Sequence, residues 1–473
     1  MSTLSKLYIQ VSAWNNEAQD HQQVGTVIYD NDPDHRLGFV GFVYDREYLA
    51  AGGPDLDPVN LKTTENEGRF FTSNDGRLPP YFKQFLPGVF AEQMLSDKDS
   101  RWGSLNDAEK LYLLTEVNGD FGAIQLNAQM DQFDRPIDRM GELKELVEII
   151  RDFQQDRSTP PLNNSQIKAL TAFNGHKPKA EIEMSMDGVA QRFCAKLNTT
   201  PEYNDAKVSH TLTEMQKVAG ISSAGGQVAT LSSSEDIYLS AHYARTESTA
   251  PRAAGESPDF LRYNRVPLTA LLHGDESLGN TDIPSYKHVA NLVSRISADA
   301  PADQEQLFKR ALFSALTNHT ANGLDNIEMY DVGNGQWRLS PSFNNLPNPS
   351  QTARFDLSFT GNKDTVDMLR VNSGFVRRLG AVMGFGPEES MALANSVTQA
   401  VLKADKIMVS SDLPPNDRIF LARTIRRAEA ENIQLDINRD PDVQAILKSQ
   451  AEQDQTNTAA PANIPGNNRG MRL

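Results

Sequence analysis

The sequence predicts an α+β fold, and three features of its 473 residues predict it. The first third alternates polar and apolar residues with period two, as half-buried strands do. Beyond about residue 286 the apolar positions recur three and four apart, which is helical spacing. Between these lies a mixed stretch, set off from the first by the polar segment STPPLNNS (158–165) with its two prolines. The units are therefore 1–157, β-rich; 158–285, mixed; 286–449, helical; and 450–473, a tail rich in Gln, Asn, Pro and Ala that is expected to be disordered.

In the first unit LYIQVSAW, GTVIYD and GFVGFVY read as strands, joined by the turns DNDPDH and AGGPDLDP. The cluster Asp30, Asp32, Asp34 and His35 is read as a solvated hairpin turn and not as an ion site, because Asp, Asn and Pro favour turns for backbone reasons. Helices are expected over 81–95 and around 107–116. The second unit carries the strand-like pieces AEIEMSM, QRFCAKLN, GGQVATL and DIYLSAHYA. In the third, Leu307, Ala311, Leu312, Ala315 and Leu316 share one helical face, as do Phe375, Leu379 and Val382; further helices are expected over 387–404 and 416–432. Arg377, Arg378 and the segment RTIRRAEA (423–430) read as solvated helix faces pairing with Glu and Asp.

Composition narrows the function. With 46 basic and 62 acidic residues the net charge is −16, which argues against non-specific DNA binding as the main activity. The 39% hydrophobic content supplies a core. One cysteine, Cys194, excludes a disulfide framework and a four-thiolate metal site, and fits a reducing compartment. The N-terminal residues lack the apolar run of a signal peptide, and the longest apolar runs, such as 37–44, fall short of the roughly 20 residues that span a bilayer. The expectation is a soluble, cytoplasmic protein. Phosphate-loop, dinucleotide, zinc-protease and nucleophile-elbow motifs are all absent, and the histidines lack metal-ligand spacing.

Five segments in order resemble the HipA family, the kinase-fold toxins of type II toxin–antitoxin systems. FLPGVFAEQML (85–95) resembles a family helix, and EVNGDFGAIQL (116–126) resembles its turn and strand. FNGHKPKAEI (173–182) resembles the glycine-rich phosphate loop, RFCAKLN the strand bearing the nucleotide lysine, and WRLSPSFNNLPNPS (337–350) the segment that carries a magnesium aspartate. The matches span roughly 20–430. The resemblance implies a small β-rich N-terminal subdomain followed by a two-lobed, protein-kinase-like core, with an N-lobe over 158–285 and a helical C-lobe over 286–449.

It also implies a nucleotide site at Asn174, Gly175, His176, Lys177, Lys179 and Lys196, with ATP and Mg²⁺ as cofactors. Phosphoryl transfer needs cations on the phosphates, bound magnesium and a carboxylate that orients the acceptor hydroxyl. Here the matched positions depart from the family. The catalytic aspartate is Ala321 in HTANGLDNIEM, and the magnesium aspartate is Asn344; only Asn326 keeps its metal-binding identity. The helix carboxylate expected after Lys196 falls on Ser209, the hinge segment reads His242, Tyr243, Ala244, Arg245, and a serine that some members autophosphorylate aligns with Ala172. A neutral amide supplies no anionic ligand, so metal binding is expected to be weakened. Asp325 and Asp331 are the nearby carboxylates; His319 and the aromatics Trp337 and Phe343 are read as packing.

The expectation is a pseudokinase acting through protein binding. Its expected partner is an antitoxin-like helix-turn-helix repressor or a kinase-fold relative, with DNA reached only through such a partner and no membrane contact. The alternatives are an active serine/threonine kinase toxin with an altered centre, and a module that binds ATP without turning it over.

Overall fold

The structure is a computed structural model that describes residues 6–30, 39–72, 77–117, 120–127, 140–155, 157, 160–175, 177–186, 189–198, 202–232, 235–247, 260–273, 284–350, 355–359 and 370–459. His176 lies outside them, as do Asp32, Asp34 and His35 of the expected turn. Asp30 ends a strand and pairs with Lys6 at 3.1 Å.

The N-terminal unit is a six-stranded antiparallel sheet built from β1 (Lys6–Asn15), β2 (Asp20–Asp30), β3 (Phe39–Tyr44), β4 (Arg69–Thr72), β5 (Asp120–Phe121) and β6 (Ile124–Asn127), in the order β4-β3-β2-β1-β6-β5. Period two does the sorting: Leu7, Ile9 and Val11 point inward and are buried, while Lys6, Tyr8 and Gln10 are exposed. A second antiparallel sheet contains β7 (Lys179–Met186), β8 (Val189–Leu197), β9 (Gly226–Ser232) and β10 (Glu235–Ala241), in the order β7-β8-β10-β9. Two short sheets follow, β11 (Arg245–Glu247) with β12 (Phe260–Arg262), and β13 (Arg265–Pro267) with β14 (Glu328–Asp331) and β15 (Trp337–Leu339). The strands expected from the sequence are all present.

Three helical expectations need adjustment. The stretch 81–95 is two helices, Pro80–Lys83 and Val89–Lys98, because Pro87 disfavours helical backbone at Leu86 and Gly88 caps the second helix in extended conformation. The stretch 416–432 is also two, Pro415–Thr424 and Arg427–Arg439, separated at Ile425 and Arg426. The last helix, Pro441–Ala459, runs into the segment expected as a disordered tail, which is therefore helical as far as Ala459. By contrast Asp107–Thr115 forms where expected, with a reciprocal cap between Asn106 and Glu109.

Packing redraws one boundary. The helix Met140–Gln154, placed by sequence in the N-terminal unit, buries Leu143, Leu146, Val147 and Ile150 in the core of the second sheet, together with Phe90 and Met94. The inner face of the first sheet, through Val27, Phe42 and Tyr44, is continuous with the core of the helical lobe, through Leu312, Leu379 and Val397.

The helix Asp205–Val218 joins both sides. Val208, Leu212 and Met215 enter the core of the helical lobe, while Thr213 Oγ1 and Tyr238 OH of β10 lie 2.9 Å apart. Just before it, the Tyr203 ring stacks on Phe420 at 3.8 Å, and the Asn204 backbone N–H donates to Asp417 Oδ1 at 3.3 Å.

Candidate functional site

A cleft of about 1000 Å³ opens between the second sheet and the helical lobe. It is lined by Asn174, Gly175, Lys177, Lys179, Lys196, Ser209, Ala321, Asn326 and Asn344, so the described residues that the sequence assigns to one site do converge.

The phosphate-loop region is locally constrained. Gly175 adopts φ +120°, a region closed to most side chains, and a Cβ there would lie 2.5 Å from Lys179 Nζ. Gly88 must also be bare, because a Cβ would meet the Gly175 backbone N and O at 2.5 Å. Asn174 Nδ2 donates to the Gln84 carbonyl at 2.9 Å and its own carbonyl accepts from Lys179 at 2.6 Å. The loop is thus fastened to the segment between the two helices that replace the expected single one.

The lysines are placed by strand register. Lys179 on β7 sits directly opposite Lys196 on β8, and both reach the cleft. Like charges opposite each other across strands destabilise a sheet unless something anionic balances them. Lys196 donates to the carbonyl of Phe343, and among the described residues no carboxylate pairs with it. Burial pushes its ammonium down to about 8, with Lys179 and Lys177 adding to the effect. Lys179 is lowered as well, chiefly by burial. Lys177 pairs with Asp205 at 3.0 Å.

The positions of the missing aspartates are brought together. The helix Ala300–Thr317 ends at Asn318 in left-handed conformation, φ +55°, which turns the chain into the 319–326 loop. Asn318 Nδ2 donates to the Asn348 carbonyl at 2.6 Å, and Asn322 Nδ2 to Tyr286 OH at 2.7 Å. From the other side, the buried Asp303 takes Arg338 at 3.0 Å and the Leu339 N–H at 2.8 Å, fixing the strand before the Ser-Pro turn. The result is a direct contact: Asn344 Nδ2 donates to Asn326 Oδ1 at 3.0 Å, while Asn326 Nδ2 donates to the Ala321 carbonyl at 3.0 Å.

Magnesium does not fit this donor set. Its usual anchors are carboxylates, whereas here the two matched positions carry neutral amides, one donating to the other. Among the described residues no group of three or more His, Cys, Asp and Glu side chains is placed to hold a metal.

The other singled-out residues divide. Asp325 accepts from Thr269 at 2.8 Å, and Asp331 accepts from the Gly333 and Gly335 N–H groups in its own turn. His319 Nδ1–H donates to the Leu346 carbonyl at 2.6 Å, and burial holds the ring below its ordinary pKa. Trp337 is buried core, whereas Phe343 lines the cleft and lies near-parallel to Tyr243 of the hinge at 6.0 Å. Arg427 does pair on a solvated face, with Asp405 and Glu431, and Arg377 approaches Asp440 at 3.8 Å. Arg426 departs from that expectation: it is buried, and approaches Asn318 Oδ1 at 3.4 Å.

Sequence reasoning missed three cleft carboxylates. Asp205, one turn before Ser209, is buried at the start of the helix. Asp356 carries its carboxylate beside Gly323, its backbone N–H held by Thr320 O and Asn322 Oδ1. Glu328 is buried under the cleft, accepting from Arg265 at 2.8 Å and from Tyr243 OH; burial raises its pKa and Lys179 pulls it back. The one available signal was a charged residue between Ile327 and Met329 in a short apolar strand.

This fold and cleft define a two-lobed, protein-kinase-like molecule with a small β-rich subdomain in front. Residues 171–404 match the family model of the HipA-like C-terminal domain. The chain is similar to the structure of HipA from the Shewanella oneidensis MR-1 toxin–antitoxin system, solved with HipB and operator DNA. That likeness has TM-score 0.61 and 13% identity, and covers 89% of this chain and 96% of that one. The Helicobacter pylori proinflammatory kinase CtkA also aligns, at TM-score 0.41 and 8% identity, over 57% of this chain and 94% of that one. No curated protein matches in sequence.

Proposed function

We propose that this protein is a HipA-family pseudokinase that binds a nucleotide in its interlobe cleft and acts through protein contact. The observation that carries the reading is the closed Asn326–Asn344 amide pair beside Ala321. Loss of a general base alone removes about 10²–10⁴ in rate. Gly175, Lys177, Lys179 and Lys196 support retained nucleotide binding. The partner class is an antitoxin-like helix-turn-helix repressor or a kinase-fold relative, with DNA reached through it; the Shewanella HipA was solved with HipB and operator DNA. No helix among the described residues is long and apolar enough to cross a membrane, and a cytoplasmic place of work accords with the reading.

The test is twofold. Incubated with labelled ATP, the unmodified protein transfers no phosphate to itself or to a partner. ATP nonetheless stabilises it, by about 2.7 kcal/mol at 100 times Kd, and Lys196→Ala removes most of the shift. A second reading, an active kinase with a rebuilt centre, is favoured by one observation: the Asp356 carboxylate lies against the 319–326 loop. Phosphate transfer that disappears in Asp356→Asn would establish that reading instead.

A further inference from the structure

We infer that the cleft takes the phosphate chain of its nucleotide as the bare polyphosphate anion, without a metal ion, so that added Mg²⁺ weakens binding. This rests on the nucleotide reading above and goes beyond it by assigning the ionic form of the ligand.

The ionic form of the ligand follows from where its neutralising charge comes from. In a working kinase, magnesium and lysine share the phosphate oxygens, and the metal is held to the protein by carboxylate. Here the two side chains at those positions are uncharged and closed on each other, Asn344 Nδ2 to Asn326 Oδ1 at 3.0 Å. The second amide arm is also committed, Asn326 Nδ2 to the Ala321 carbonyl. The amide oxygens of this pair offer a cation only neutral ligation and bring no anionic charge. Magnesium parts with its waters reluctantly and gains little here.

The opposite wall concentrates two lysines, with Glu328 acting on Lys179 from below. Lys179 and Lys196 face each other across adjacent strands and both enter the cleft. Their described hydrogen bonds go to carbonyl oxygens, of Asn174 and of Phe343, and not to carboxylates. A triphosphate supplies the missing negative charge. The same chain carrying Mg²⁺ presents two fewer negative charges to these ammoniums, so the metal complex is the weaker ligand. The two halves of the site point the same way: the two matched metal positions are uncharged amides, and neither Lys179 nor Lys196 donates to a carboxylate.

Calorimetric titration of the full-length protein tests this, using ATP and inorganic tripolyphosphate, each in EDTA and in excess Mg²⁺. The expected result is an ATP Kd roughly tenfold or more tighter in EDTA. Tripolyphosphate should follow the same order, and Lys179→Gln should weaken both ligands. Asn344→Asp should narrow or reverse the EDTA preference by restoring a carboxylate; Asn326→Asp serves the same purpose should the first variant not fold. ATP bound only in the presence of Mg²⁺ would overturn the inference while leaving the nucleotide reading intact. ATP bound with no binding of tripolyphosphate would also overturn it, since the affinity would then belong to the base. No binding of ATP in either buffer would overturn the nucleotide reading and this inference together.

Discussion

Lys196 shows how one side chain ties stability to ligand binding. Its ammonium, lowered to about 8 from the usual 10.5, is costly to keep charged in the empty cleft. The folded protein therefore binds fewer protons than the unfolded chain between those values, so this cost is full below about pH 8 and fades as pH rises toward 10.5. Lys196→Met should raise the stability of the ligand-free protein at pH 7 by about 1–3 kcal/mol. The gain should shrink by pH 9.5, as followed by thermal melts across that range. Binding has the reverse dependence. An anion needs the charged amine, so ATP affinity should hold below pH 7 and fall as pH passes about 8. Calorimetry in Lys196→Met should show a flatter profile. The lysines and Gly175 were legible because a loop and its following strand carry their pattern within a few neighbours. Asp205, Asp356 and Glu328 were not, because their importance lies in which distant segments they meet.

At the scale of elements, the break between Pro80–Lys83 and Val89–Lys98 does more than divide a helix. It delivers the bare backbone of Gly88 against that of Gly175, where an added methyl would meet atoms that cannot rotate away. Gly88→Ala should therefore push the loop from its seat and weaken ATP and tripolyphosphate binding severalfold, with only a modest loss of melting temperature. A variant that binds as the parent does would show that the loop adjusts without cost. The strands were readable because alternation needs only a few residues to declare itself. The helix Met140–Gln154 was not read from the sequence, and periodicity would not say which core receives its apolar face. The boundary at 157 therefore leaves it in the first unit although its apolar face packs on the second sheet. Arg426 fell similarly: it lies at the break between two helices, not on the outer face of one.

For the whole molecule, continuity of the core matters most. Phe42 of the N-terminal sheet is fully buried in the same apolar cluster as Leu312 and Leu379 of the helical lobe. Phe42→Ala should cost about 3–5 kcal/mol and lower the melting of both parts together, in one calorimetric transition. Two separated transitions would show that the N-terminal sheet unfolds on its own. The helix Asp205–Val218 extends this continuity across the cleft. It is tied to β10 through Tyr238, to the Ser-Pro segment through the Gln216–Asn345 pair, and its lead-in residue Tyr203 stacks on Phe420. A gap braced in this way has its width fixed before any ligand arrives. Association should then be a single encounter step: in stopped-flow mixing with a fluorescent nucleotide, the observed rate should climb linearly with concentration. A plateau would reveal a slow opening of the brace. Removing the Phe420 ring should loosen the brace and bend that line toward a plateau.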